Sequence, residues 1–264
     1  MSSEDQTAEA ELRYNPDIPH GARIWNYWVG GKDNFPADRE VAEAAIRAYP
    51  GIVAIARESR KALVRVVRFL TEEAGIRQFL DIGTGLPTEN NTHEVAQGIA
   101  PESRIVYVDN DPLVLLHARA LLTSTPRGAT AYLEADVREP EEILEQAAAT
   151  LDFDKPIGLI LFGVLGAAVK ETDEARGIVQ ALLARMAPGS YIAINDSVHG
   201  EADKAADAVA EGGYEYTVRY YEEIAGFFDG TELIEPGLVP NALWRPDGPD
   251  GELLPSHCGV GRKP

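Results

Sequence analysis

From Gln78 onward the chain alternates between two patterns. Short apolar runs bounded by Gly, Pro or Asp fit strands buried on both faces. Longer stretches, with apolar residues every three or four positions, fit helices that lay one face on a sheet. The runs predict strands over 78–82, 104–108, 130–134, 157–162 and 190–195. Helices are predicted from about residue 92 and over 112–122, 140–148, 174–186, 201–211 and 221–228. Pro112 stands at a first helical position, where its missing N–H is harmless. Two last strands, over 232–239 and 257–262, have no helix between them and should pair antiparallel. Alternating strands and helices imply a parallel sheet covered on both faces. The predicted fold is therefore α/β and Rossmann-like: a mostly parallel seven-stranded sheet with a C-terminal antiparallel hairpin.

Before Gln78 the pattern is helical. Helices are predicted over 37–49 and 58–74, the second with Ala62, Leu63, Val66, Val67, Phe69 and Leu70 on its apolar face. Between the polar start and these helices lies a dense segment of aromatics, amides and glycines, residues 19–35. The expected organisation is a disordered tail over 1–18, an N-terminal helical cap or lid over 19–77, and a ligand-binding domain over 78–264.

Composition narrows the function. The 264 residues allow one large domain with an added subdomain. A net charge of −19 repels phosphate backbones and anionic lipid heads, so nucleic acid and membrane surfaces are not expected partners. A small neutral or cationic substrate fits that charge. Cys258 is the single cysteine, which excludes an intramolecular disulfide and suits a reducing compartment. The start lacks a signal-peptide pattern, and no apolar run approaches the ~20 residues of a membrane span. A cytoplasmic location is the expectation.

Three strand ends carry candidate chemistry. The first is FLDIGTGLP, residues 79–87, an apolar strand running into a Gly-x-Gly turn. Gly83 and Gly85 permit a tight turn and close ligand approach, with Asp81 and Thr84 beside them. Pro87 and Thr88 stand where a dinucleotide fingerprint has its third glycine, which weakens a nicotinamide dehydrogenase reading. A plain strand-to-helix turn is the competing explanation. The second is Asp109, about 20 residues on, where a carboxylate can accept both ribose hydroxyls. Asn110 follows it, and Asp111 suits a helix N-cap. The third is Asp136 with Val137, placed to accept from an adenine amino group and to pack on its ring. Together the three describe strand ends lining one crevice.

Long stretches then resemble a known family. ARIWNYWVGGKDNF (22–35), QFLDIGTGLPT (78–88), NTHEVA (91–96), VYVDNDP (106–112) and GVGRKP (259–264) are similar to the actinobacterial DUF574 family of S-adenosylmethionine-dependent methyltransferases. The resemblance covers nearly the whole chain after Pro19. It implies a class I methyltransferase fold, S-adenosylmethionine as cofactor and S-adenosylhomocysteine as product. It implies much less about the acceptor, because fold does not fix function; the leading expectation is methyl transfer to an O, N or C nucleophile of a small molecule, of the kind found in secondary metabolism, with a homodimer left open. The cofactor residues expected on this basis are Tyr27, Gly31, Asn34, Asp81, Gly83, Thr84, Gly85, Asp109, Asn110, Asp136, Val137 and Phe162. The expected acceptor pocket contains Trp28, Gly163, Gly166 and Asn195. In the aromatic segment, Trp25 is assigned to core packing and Tyr27 and Asn34 to the pocket.

Two places depart from the family pattern. VLGAAV (164–169) replaces a Val-Leu-His-Phe-like stretch, and Asn195-Asp196 replaces Ser-His. No histidine base is therefore inherited, and the base candidates are His20, His199 and Asp196. A base is needed only if the acceptor carries a proton to lose, because the donor methyl is already activated. The five histidines show no metal-ligand spacing, so no metal is expected. The acidic run at Glu139, Glu141, Glu142 and Glu145 reads as a solvated helix face. Non-methylating chemistry on the same cofactor, such as cyclisation, and a non-catalytic sensor are the competing functions.

Overall fold

A computed structural model describes residues 15–121, 124–248 and 251–264. Five strands run parallel: β1 (Gln78–Ile82), β2 (Arg104–Asp109), β3 (Ala129–Glu134), β4 (Gly158–Phe162) and β5 (Tyr191–Ser197). Three antiparallel strands close the sheet: β6 (Glu232–Leu233), β7 (Val239–Pro240) and β8 (Ser256–Arg262). The order is β3-β2-β1-β4-β5-β8-β6, with β7 pairing β8 off that path. The predicted strand over 232–239 is thus two short pieces. Gly237, at φ +91°, turns the chain between them, its N–H donating to the Ile234 carbonyl at 2.8 Å.

Period-two alternation sorts the strand residues onto two faces. Leu80, Ile82, Val106, Val108, Leu159, Leu161, Ile192 and Ile194 pack with helices α6 (Pro140–Ala147) and α8 (Thr172–Ala184). Phe79, Ile105, Ile160, Ala193 and Val260 pack with α3 (Ile52–Glu72), α4 (Thr92–Ile99) and Trp244. Each fully buried Val, Leu, Ile or Phe contributes about 1.5–3 kcal/mol, so these two layers dominate the fold's stability. The remaining helices are α5 (Pro112–Leu121), α7 (Val164–Ala168), α9 (Ala202–Glu211) and α10 (Tyr221–Ala225).

The cap is built differently from the expected 19–77 unit. It contains α1 (Gly21–Trp28), a helix not predicted, and α2 (Pro36–Ala48). α3 starts at Ile52, before the predicted 58, and serves both bodies. Its first half, Ile52, Ile55 and Ala56, packs with Ile24, Trp28, Val41 and Ala45 in the cap. Its second half, Val66, Val67, Phe69 and Leu70, lies on the sheet. Ala205 and Val209 of α9 complete the cap core from the far end of the sequence. Of the predicted tail, residues 1–14 lie outside the described residues. Asn15 and Ile18 are held, their carbonyls accepting from the Arg23 guanidinium at 3.5 and 2.8 Å. Among the described residues, no helix is long and apolar enough to cross a membrane.

Candidate functional site

The C-terminal ends of β1, β2, β4 and β5 open into a cavity of about 420 Å³, roofed by α1 and α9. At its floor the β1 turn is tied to β2. The N–H groups of Gly83 and Thr84 donate to the Val108 carbonyl at 2.8 and 3.3 Å. Gly83 and Gly85 have φ +74° and +64°, a conformation glycine adopts without a Cβ penalty. A β-carbon at Gly83 would overlap Val164, whereas one at Gly85 would meet nothing within 4 Å. Gly85 therefore leaves open space above its backbone.

Asp109 is anchored beside this turn. Its carboxylate accepts the Gly85 N–H at 2.8 Å and the Asp111 N–H at 3.0 Å. Burial pushes its carboxyl above the usual aspartate range, an effect the two N–H groups and His20 oppose and Asp111 reinforces. Asp81 is also buried, accepting from the Thr92 hydroxyl at 2.6 Å. Burial raises it to about 6, against the opposing pull of Thr92 and the Arg60 guanidinium and with a further push from Asp109. Arg60, from α3, lines the same end of the cavity, and its burial lowers its own pKa. An acidic and a basic group thus face one ligand space.

Beyond Gly163 the cavity becomes a largely apolar chamber. Trp25 and Trp28 form one wall, edge to face with centroids 6.0 Å apart. Ala202, Ala205 and Val209 form another, and Tyr214 and Tyr216 stand at the end. The tyrosines come from an extended segment after α9, held by Thr217 N–H to the Gly166 carbonyl at 2.8 Å and His199 N–H to the Arg219 carbonyl at 3.0 Å.

Of the residues expected from sequence, Asp81, Gly83, Thr84, Gly85, Asp109, Asn110, Val137, Phe162, Trp28, Gly163 and His20 line this cavity. The others stand elsewhere. The Tyr27 hydroxyl donates to Glu43 at 3.1 Å. Trp25, assigned to the core, packs against the cap core and lines the cavity as well. Both follow from the unpredicted helix: Gly21, Ile24, Trp25 and Trp28 share one face, and Tyr27 turns away from it. Asn34 and Gly31 shape the loop after α1. The Asn34 amide donates to Asn26 at 3.0 Å and to the Gly31 carbonyl at 3.1 Å. Asp136 holds the Arg138 guanidinium at 2.8 and 2.6 Å, which depresses its carboxyl, and it is Arg138 that reaches the cavity.

Asn195 donates to Asn241 at 2.8 Å and to Ser256 at 3.0 Å and accepts from Ser59, joining β5 to α3 behind the wall. Gly166 and Asp196 also lie behind it. Asp196 accepts from the Tyr216 hydroxyl at 2.5 Å and the Ser197 N–H at 2.9 Å, and pairs with Arg219 at 3.5 Å. His199 lies outside, 2.7 Å from Asp203 and against the Tyr220 ring. His20 sits at the cavity rim, its Nδ1 3.1 Å from Asp111. Arg60, Tyr214, Tyr216 and Ser197 were missed in the sequence. The alternation Tyr214-x-Tyr216 in a segment without helical period is the one local signal that points to two of them.

A family model described as S-adenosyl methyltransferase matches residues 7–264. A DUF574 family protein from Streptomyces avermitilis MA-4680 is 42% identical; its crystal structure matches with TM-score 0.89 over 95% of this chain and 100% of its own. A candidate methyltransferase from Thermobifida fusca YX is 44% identical, with TM-score 0.86 over 94% of this chain and 96% of its own. The mitomycin 7-O-methyltransferase shares only the fold, at 19% identity and TM-score 0.51 over 99% of this chain and 67% of that one. No curated protein matches the sequence.

Proposed function

Because the chain belongs to the S-adenosyl methyltransferase family, we propose that it methylates a small molecule held in this cavity. The observation that carries the reading is the cavity's continuity. A polar end at Gly85, Asp109, Asp81 and Arg60 opens directly into the chamber of Trp25, Trp28, Tyr214 and Tyr216.

The polar end fits S-adenosylmethionine. Asp109 is held by two N–H groups and keeps lone pairs for ribose hydroxyls. Gly85 leaves room for the ligand to approach the backbone. Arg60 complements the α-carboxylate of the methionine end, and Asp81 its α-ammonium. Ala135, Val137 and Phe162 offer apolar surface to the base. Asp136 would have to share its carboxylate with Arg138, so Arg138 joins the proposed adenine contacts. Tyr27, Gly31 and Asn34 act through the shape of the cap rather than by contact.

When bound, the cofactor supplies an electrophilic methyl group on a sulfonium. The chain must then hold a nucleophile in line and keep water out. The α1 and α9 roof does the second, and the planar side chains of the chamber do the first.

The test is incubation with methyl-labelled donor and three acceptor sets: small neutral molecules, proteins and nucleic acid. Label and S-adenosylhomocysteine should appear with the first set and fall sharply in Asp109→Asn. Label going only into protein or nucleic acid would overturn the small-molecule reading.

A further inference from the structure

The back of the chamber holds a hydrogen-bonded chain from Tyr216 through Asp196 to Arg219. Asp196 and Arg219 have side chains 0% and 1% exposed. Arg219 also donates to the Val169 carbonyl at 2.5 Å, which fixes its direction. The Tyr216 hydroxyl donates to Asp196 at 2.5 Å while Tyr216 itself lines the chamber. That hydroxyl lies 4.0 Å from where a β-carbon at Gly163 would stand, at the join between chamber and donor end. Gly166 is part of the same unit, because a β-carbon there would press on the Tyr216 ring and come within 2.7 Å of the Asp196 carboxylate.

The charge at the back of the chamber is paired. Arg219 neutralises Asp196, and tryptophans, alanines, valines and tyrosines dominate the rest of the wall, which also includes Ser59 and Ser197. With Asp81, Asp109, Arg60 and Arg138 at the polar end taken up by the donor, the described residues leave a cationic amine no carboxylate and an anion no cation in the chamber. The Tyr214 hydroxyl makes no hydrogen bond to any described residue and faces the cavity, electrostatically between Asp109 and Asp196. It is a spare polar handle in an apolar space.

Resting on the methyltransferase reading above, we propose that the acceptor is a neutral, flat, largely apolar molecule with a phenol- or enol-type hydroxyl, whose proton passes to Tyr216 as Tyr216 passes its own to Asp196. The acceptor O–H bond breaks and its proton joins the Tyr216 oxygen. The Tyr216 proton moves to Asp196. The acceptor oxygen's electron pair forms the new O–C bond, and the C–S bond breaks with its pair left on sulfur. The sulfonium charge and the Asp196 charge are lost together, and Arg219 keeps its own charge, held by the Val169 carbonyl. Burial raises the Asp196 carboxyl toward this role, though Arg219 and the hydrogen bonds to it pull the other way. Tyr216 is a catalytic residue in this scheme, and Asp196 a positioning residue that acts through it.

The test uses the full chain saturated with S-adenosylhomocysteine, with 4-nitrophenol, tyramine and 4-hydroxybenzoate as neutral, cationic and anionic probes. Binding is read from tryptophan emission, since Trp25 and Trp28 line the chamber. The 4-nitrophenol should bind at least about tenfold tighter than either charged probe, the usual penalty for burying an unpaired charge being larger still. Its phenolate absorption at about pH 6 should increase on binding to the wild type and not to Tyr216→Phe. With 4-nitrophenol as acceptor, Tyr216→Phe should lower kcat about a hundredfold with KM little changed, as loss of a positioned proton acceptor does. Asp196→Asn should flatten the pH profile of kcat; Tyr216→Phe, which leaves the Asp196–Arg219 pair intact, keeps the test valid if that variant misfolds. Tighter binding of tyramine or 4-hydroxybenzoate would overturn the acceptor class. An unchanged phenolate band and kcat in Tyr216→Phe would overturn the proton path. Failure to bind S-adenosylhomocysteine, measured by calorimetry, would instead overturn the reading on which both rest.

Discussion

The hydroxyl of Tyr214 occupies the space that a β-carbon at Gly21 would need. The first residue of α1 and the tyrosine after α9 are therefore packed as one roof over the cavity. Gly21→Ala should push Tyr214 aside and destabilise the protein by about 1–3 kcal/mol, the usual range for overpacking. Denaturant unfolding of Gly21→Ala, Tyr214→Ala and the double variant checks this. The double variant should recover most of the Gly21→Ala loss; strict additivity would mean the two residues are not in contact.

Asp81 makes stability fall as pH rises. Its folded carboxyl titrates near 6 against an ordinary 3.8, so between these values the folded state holds a proton the unfolded state has lost. Stability should decline across that window by up to about 3 kcal/mol, and Asp81→Asn should remove the decline. Unfolding curves of both proteins from pH 3.5 to pH 7, roughly that window and its margins, make the comparison.

Donor affinity should run the other way with pH. An ammonium group needs the ionised form of Asp81, so binding of S-adenosylhomocysteine should weaken about tenfold per unit below pH 6. Calorimetry should find this slope in the wild type and none in Asp81→Asn. Arg60→Met should weaken binding at every pH, by about tenfold or more for loss of one charged hydrogen bond.

Asp109→Ala should weaken S-adenosylhomocysteine binding more than Asp109→Asn. Both lose the charge, but asparagine keeps one acceptor oxygen for one of the two N–H groups of Gly85 and Asp111, whereas alanine leaves both without an acceptor. A difference of about 1–2 kcal/mol between the two variants, read by calorimetry, is the expected size for such unpaired donors.

Arg23 lies 3.6 Å from both Asp38 and Asp111, all three buried. Replacing it with Met leaves two buried carboxylates facing each other's charge, which should cost about 3–5 kcal/mol. It should also loosen α1 from the β2–α5 turn, seen as faster amide exchange in α1 than in α8.

Strands β1 to β5 and the Gly83–Gly85 turn were readable from the chain, because period-two and period-3.6 patterns are local. So was the placement of Asp109 at the next strand end. The failures lie where distant segments meet. Tyr27 and Asn34 looked like pocket residues only while residues 21–28 lacked a helix to orient them. The 19–77 boundary cut α3 away from the sheet it covers, since its two faces serve two different cores.

By itself, then, the sequence determined the α/β alternation and the Gly83–Gly85 turn with a carboxylate at 109 beside it, because each depends on residues adjacent in one strand or turn. Only the tertiary structure decided what stands beyond Gly163. Trp25 reaches the chamber by helix rotation, Arg60 by the docking of α3, and Tyr214 and Tyr216 by the return of the chain after α9. The lack of room for a side chain at Gly166 is visible only once Tyr216 and Asp196 are packed against it. Charge pairing and close packing across such sequence distances leave no periodic trace, so the apolar end of the cavity belongs to the fold rather than to any motif.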